Sequence, residues 1–153
     1  MKRCVIAGLR LLGLVLVIAG CSLSSYSETT LTGTIGGQAF TFADGYIDAD
    51  GSAQLFNAAQ DFTDAFSYDW TAVPKIMFTV NPVGVGEHKL QLNLLDLANA
   101  FTVTGYDGTT NYIFTEGTLE ITEVTDTEVK GRMHITSDTD DLDGIFTLER
   151  VAW

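Results

Sequence analysis

Two histidines, His88 and His134, are the only side chains in this sequence whose ordinary titration falls near neutral pH. Neither lies in a nucleophile motif, since G-x-S-x-G, H-E-x-x-H and S-x-x-K are all absent. His134 falls on the outward side of a strand beside Lys130 and Arg132, and His88 opens a strand after Gly84-Val85-Gly86. Both read as surface or strand-edge residues, and no catalytic residue is assigned. Twenty acidic residues always offer carboxylate pairs for glycosidic hydrolysis, but the separation of two acids in space, not in sequence, decides that chemistry. Asp138-Thr139-Asp140-Asp141-Leu142-Asp143-Gly144 is dense in the hard oxygens that calcium prefers. It fails the helix-loop-helix calcium register, because placing Gly144 sixth puts Thr139 first and Arg150 twelfth, where a bidentate acid belongs. Asp48-Ala49-Asp50-Gly51 fails likewise, with Tyr46 in the first place. Both are read as solvated turns, favoured by Asp and Gly for backbone reasons, so no metal ligand is assigned. Gly84-Val85-Gly86 has no helix after it to supply a phosphate cradle, and no cofactor is expected. The stretch Phe56–Trp70 is the most suggestive: aromatic faces beside acids and amides can stack sugars or line an apolar pocket. Its simpler role is a loop that plugs one end or face of a sheet core.

Charge narrows the classes. Eight basic residues against twenty acidic give a net charge of -12, the opposite of a nucleic-acid footprint. At 153 residues and 46% hydrophobic, the chain has the length of one domain and the means to bury a core. Two cysteines, with no paired C-x-x-C, exclude a disulfide scaffold and a zinc knuckle.

The front of the chain is an address. Lys2, Arg3 and Arg10 precede Leu11–Ala19, a nine-residue apolar run. As a helix that run would reach about 14 Å, half of a hydrocarbon core of about 30 Å, so it suits a secretory signal rather than a span. Ile18-Ala19-Gly20-Cys21 follows directly and resembles the lipobox of bacterial lipoproteins. That resemblance implies removal of residues 1–20, acylation of Cys21 (palmitate among its chains) and a mature chain Cys21–Trp153 of 133 residues. Five basic residues then face twenty acids, a net -15. Several acyl chains, at about 0.8 kcal/mol per buried CH₂, make a firm membrane anchor. Ser22, where an Asp would signal inner-membrane retention, implies the outer membrane if the source has one. Ser22–Glu28 is Ser-rich and lacks an apolar period, so residues 21–28 are expected to form a lipidated, flexible tether.

From 29 to 153 the pattern predicts a single antiparallel β domain, a sandwich or barrel of about 8–10 strands. Leu31, Gly33 and Ile35 alternate with threonines; Gly36-Gly37 is a two-residue hairpin signal, and Phe40 and Phe42 resume the alternation. Asp44-Gly45 and Asp50-Gly51 read as turns around Tyr46–Asp48. Ala53–Val73 resists: Leu55, Ala59, Phe62 and Phe66 fit a helical spacing, yet 53–58 pairs equally well back onto 46–50, and a strand followed by an irregular aromatic loop is preferred. Ile76, Phe78 and Val80 alternate, as do Leu90, Leu92 and Leu94; Phe101 and Val103 form a short strand closed by Tyr106-Asp107-Gly108, and Tyr112–Thr115 ends at Glu116-Gly117. Twenty threonines and two prolines suit solvated pleated faces.

The last hairpin carries the sharpest register. With Asp126 central in the turn, Glu120 faces Arg132, Thr122 faces Lys130, Leu119 faces Met133 and Ile121 faces Gly131. A final strand, Gly144–Val151, turns Phe146 and Leu148 inward. The segment Glu116–Gly131, EGTLEITEVTDTEVKG, together with Gly144-Ile145-Phe146 and the opening Thr32–Phe42, resembles an uncharacterised family of small bacterial lipoproteins over about residues 31–150. The resemblance implies a secreted all-β domain and transfers no catalytic or binding residue. The expected function is therefore that of a lipid-anchored envelope protein acting as a non-catalytic binding or interaction module for a protein, glycan or apolar partner. The alternatives are a small carboxylate-based hydrolase of envelope polymers, marked by a cleft with two acids about 5–9 Å apart, and a calycin-like carrier with a cavity lined by Phe56, Phe62, Phe66 or Trp70.

Overall fold

A computed structural model describes residues 26–92 and 100–153. The signal segment, Cys21 and Leu94 lie outside the described residues. Every regular element described is a strand, eleven in all: β1 Thr32–Ile35, β2 Gln38–Thr41, β3 Asp44–Ile47, β4 Ser52–Phe56, β5 Lys75–Thr79, β6 Gly86–Lys89, β7 Val103–Tyr106, β8 Asn111–Phe114, β9 Glu116–Val124, β10 Glu128–Thr136 and β11 Asp141–Arg150. They form one sheet in the order β6-β9-β10-β11-β3-β4-β5-β7-β8, with the β1–β2 hairpin attached to β11. The sheet curls into an open half-barrel, so the all-β expectation holds, with more strands than expected.

β11 is the hub. One edge pairs with β10 from Glu128↔Glu149 to Thr136↔Asp141. The other edge is shared: Asp143 and Leu142 take β1, while Glu149 and Arg150 take β3. The β3 contact is parallel, the one departure from antiparallel pairing among the named strands. It arises because the chain leaves β2 and passes β11 on the same edge, where Val151 N–H closes onto the Ile47 carbonyl at 3.0 Å.

Period-two alternation sets the two faces of the sheet. The inner face carries Leu55, Ile76, Val103, Phe114, Leu119, Ile121, Met133, Ile135 and Leu148, each shielded fully from solvent. The β1–β2 hairpin lays Leu31, Ile35 and Phe40 across them as a second layer. Its turn has Gly36 at φ 60° and Gly37 at φ 74°, the mirror-image geometry that only glycine adopts cheaply at both positions. The Tyr112 ring packs 2.5 Å from where a Gly36 Cβ would stand. Buried Asp140 accepts the Gly37 N–H at 3.0 Å, tying this turn to the β10–β11 connection.

Several sequence expectations change. Asp44-Gly45 is not a turn but part of β3, and Gly117 lies inside β9. Both glycines answer to space: the Gln54 carbonyl sits 2.6 Å from a Cβ at Gly45, and the His134 carbonyl occupies the corresponding place at Gly117. In the last hairpin the pairs Glu120–Arg132, Leu119–Met133 and Ile121–Gly131 stand as expected, but Lys130 faces Glu123, not Thr122. A bulge between Lys130 and Gly131 absorbs Thr122, which still donates its hydroxyl to the Lys130 carbonyl at 3.3 Å. The bulge places Glu123 3.0 Å from the Lys130 ammonium. Leu90 is buried but Leu92 is 46% exposed, because β6 ends at Lys89 and Gln91 exchanges both backbone bonds with Phe101. Of the stretch expected to be a tether, Tyr26, Ser27 and Glu28 lie on the sheet. The Tyr26 hydroxyl is 2.6 Å from Thr118 Oγ1, Ser27 N–H donates to Asp143 Oδ1, and the Arg132 guanidinium lies 4.3 Å above the Tyr26 ring and 3.7 Å from Glu28.

Candidate functional site: an outer face and its aromatic loop

The strands β3, β4, β5, β7 and β8 are in register, so their outward residues form rows across the sheet. One row is Asp44–Phe56–Lys75–Tyr106–Asn111; the next is Tyr46–Gln54–Met77–Thr104–Ile113. Tyr46, Phe56 and Lys75 are roofed by the segment 57–73, which has no helix; the helical spacing of Leu55, Ala59, Phe62 and Phe66 does not form one. Tyr46, Phe56, Phe62 and Val151 make a second, smaller core on this outer side. Tyr68 joins it, stacking on Trp153 at 5.8 Å with planes 6° apart. Burial and the neighbouring Tyr68 hydroxyl, 3.3 Å away, raise the Tyr46 phenol far above its ordinary range.

The loop is held by its own acids. Asp61, Asp64 and Asp69 each accept the backbone N–H two residues on, from Thr63, Phe66 and Thr71, at 2.8–2.9 Å. The Thr63 and Thr71 hydroxyls first, and then these backbone bonds, hold the Asp61 and Asp69 carboxyls below the usual range. Gln60 links the loop to the sheet, receiving Asp69 N–H at 2.8 Å and donating its N–H to Asp44 at 3.0 Å. Buried Lys75 donates to the Trp70 carbonyl at 2.7 Å and sits 6.0 and 5.8 Å from the Phe56 and Tyr106 rings. Burial pushes its ammonium pKa down. A pinned loop thus buries half its aromatics and displays the rest: Phe66 is 95% exposed and Trp70 70%. Each displayed ring forgoes roughly 1.5–3 kcal/mol of burial.

Beyond the loop, the outer face of β4, β5 and β7 opens into a hollow of about 430 Å³, floored by Ser52, Gln54, Met77, Thr79, Thr102 and Thr104 and edged by Phe101. Among the described residues none of the floor is charged, whereas the outward side of β9–β11 carries Glu120, Lys130, Arg132, His134, Asp143 and Glu149. The Gln54 side-chain carbonyl is buried without a hydrogen-bond partner. Such an orphan acceptor costs about 1–3 kcal/mol.

The other residues singled out from sequence fall elsewhere. His134 is exposed on β10, Nδ1 3.6 Å from Asp143 Oδ1, and His88 stacks on Phe101 at 5.1 Å. Of the acidic run 138–144, Asp140 turns inward while Asp141 and Asp143 join β11. The Asp140 carboxyl is pulled up by burial, but bonds from Gly37, Thr139, Gly36 and Thr34 outweigh this and lower it. Among the described residues no group of three or more His, Cys, Asp or Glu is placed to hold a metal ion. A second hollow of about 400 Å³ is lined by Asp44, Glu128, Glu149 and Arg150 with two threonines. Glu128 and Glu149 are directly opposed across β10 and β11, and both are exposed. A hydrolytic general acid needs a carboxyl buried among apolar groups. The four aromatics expected around a carrier cavity divide instead, Phe56 and Phe62 packed, Phe66 and Trp70 in solvent. Sequence reasoning found the loop but missed the hollow; its one sequence signal is that Ser52, Gln54, Met77, Thr79, Thr102 and Thr104 alternate outward without a charge.

No protein-family model, no curated protein and no solved structure matches this chain.

Proposed function

We propose that the chain is a cell-envelope lipoprotein anchored through acylated Cys21, with its β domain serving as a non-catalytic module that binds an envelope partner through the 57–73 loop. The observation that carries the binding role is the exposure of Phe66 and Trp70 on a loop fixed by three aspartates and Lys75. A floppy loop would lose ordering entropy on binding, and this one has already lost it. The anchor rests on the lipobox Ile18–Cys21 and the short apolar run before it, the outer membrane on Ser22, and the kinship to small bacterial lipoproteins on the closing hairpin. The acid-lined hollow keeps a carboxylate hydrolase as the alternative, which exposed Glu128 and Glu149 serve poorly.

Two measurements test it. Radiolabelled palmitate should enter the wild-type chain and not Cys21→Ser. The unlipidated Cys21→Ser chain should sediment with isolated envelopes, and the further double change Phe66→Ala, Trp70→Ala should abolish that. Equal labelling of both chains, or unchanged sedimentation of the double variant, would end the proposal.

A further inference from the structure

We infer that the hollow on the outer face of β4, β5 and β7 is a binding site for a neutral, hydroxyl-rich ligand, a glycan segment, with the Gln54 side-chain carbonyl as its hydrogen-bond anchor. The inference deepens the binding-module reading and rests on it. The volume, about 430 Å³, falls in the range of ligand sites. The floor is two residues deep along the strands and three strands wide, about 7 by 10 Å, the footprint of a disaccharide. Its chemistry matches sugar hydroxyls: Ser52, Thr79, Thr102 and Thr104 each supply a donor and an acceptor. Met77 supplies an apolar patch for a ring face.

Charge argues for neutrality. Among the described residues no cation lines the floor to attract a phosphate, sulfate or uronate. Lys75, next outward along β5, is committed to the Trp70 carbonyl. That bond also fixes the side from which a longer glycan would be met by an aromatic. Lys75 and Met77 point outward about 7 Å apart on β5, so the backbone of exposed Trp70 is tied beside the hollow.

Gln54 gives the specific signal. Buried polar atoms in native proteins are almost always paired, and an orphan calls for an explanation. The carbonyl of Gln54 has no donor among the described residues, yet the residue lies in the floor. The terminal torsion of a glutamine is broad, so a modest turn of the amide presents that oxygen to a ligand hydroxyl. A ligand donor then supplies the bond the fold leaves unmade.

The test uses the full chain in detergent and calorimetric titration with maltohexaose, cellohexaose and chitohexaose. One of the three should bind the wild type. Gln54→Met removes the orphan acceptor at similar volume, so it should weaken binding about tenfold or more, roughly the worth of one good hydrogen bond, while raising the melting temperature. Thr104→Arg, which puts a charged arm into the floor, should abolish binding without lowering the melting temperature. Absence of binding by all three sugars, wild-type affinity in Gln54→Met, or a Gln54→Met chain that melts lower or fails to fold would overturn the inference. Sedimentation with envelopes that still depends on Phe66 and Trp70 in the first of these cases would leave the loop reading standing and reject the glycan site alone.

Discussion

Asp140 is the best point at which to test how the sheet is closed. Its carboxylate is 3% exposed and ties two turns that lie far apart in sequence. Oδ1 receives the Gly37 N–H at 3.0 Å and Oδ2 the Thr139 hydroxyl at 3.0 Å, with Gly36 and Thr34 also donating. Hydrogen bonds to a charged group are worth about 1.5–3 kcal/mol each in net terms. Gly37 is exposed, so water replaces part of what an alanine removes. Asp140→Ala should therefore destabilise by about 2–4 kcal/mol. At about 3–5 °C per kcal/mol for a domain of this size, the melting temperature should fall by roughly 10 °C. Asp140→Asn, which keeps one acceptor, should cost less. The pH dependence has a fixed sign. The folded-state pKa of Asp140 is lowered, so its contribution is present above the unfolded value of about 3.9 and fades as pH falls through the folded one. Denaturant titrations at pH 7 and at pH 3 should show a smaller pH effect in Asp140→Asn than in wild type. A cost under about 0.5 kcal/mol for Asp140→Ala at pH 7, within surface-mutation scatter, would refute the clamp.

The loop makes a contrasting pair. Phe62→Ala should cost about 3–5 kcal/mol by emptying the outer core, while Phe66→Ala should stay within about 0.5 kcal/mol; thermal melts of the two side by side check this, and a large loss at Phe66 would mean its ring is packed. Asp107, held at about 2 chiefly by the Thr110 and Thr109 N–H groups and by the Thr109 and Tyr112 hydroxyls, should lose its stabilising effect as pH falls from about 4 toward 2. Asp107→Asn should flatten that part of the acid-unfolding curve, and an unchanged curve would contradict the hydrogen-bond account.

Strand positions were legible because threonine and apolar residues alternate over most of 29–151, and Gly36-Gly37 names its turn outright. The register of the last hairpin followed from matching apolar to apolar and acid to base, until the bulge at Thr122, which no pairing of types announces. Gly45 and Gly117 misled because glycine marks either a turn or a close approach, and only the carbonyls of Gln54 and His134 tell which. The parallel contact of β3 with β11 joins residues about a hundred apart and leaves no local trace. The aromatic loop stood out by composition, but which rings are packed depends on Tyr46 and Val151 beneath it. The hollow was illegible for a related reason: its floor is assembled from β4, β5, β7 and Thr102 just before β7, residues far apart in sequence.

Site-specific photo-cross-linking in living cells tests the central claim most directly. A benzoylphenylalanine in place of Phe66 in the full, lipidated chain should give a discrete cross-linked species under light, absent when the same group replaces exposed Asp126. Equal cross-linking at both positions, or at neither, would contradict an anchored module that meets its partner through this loop.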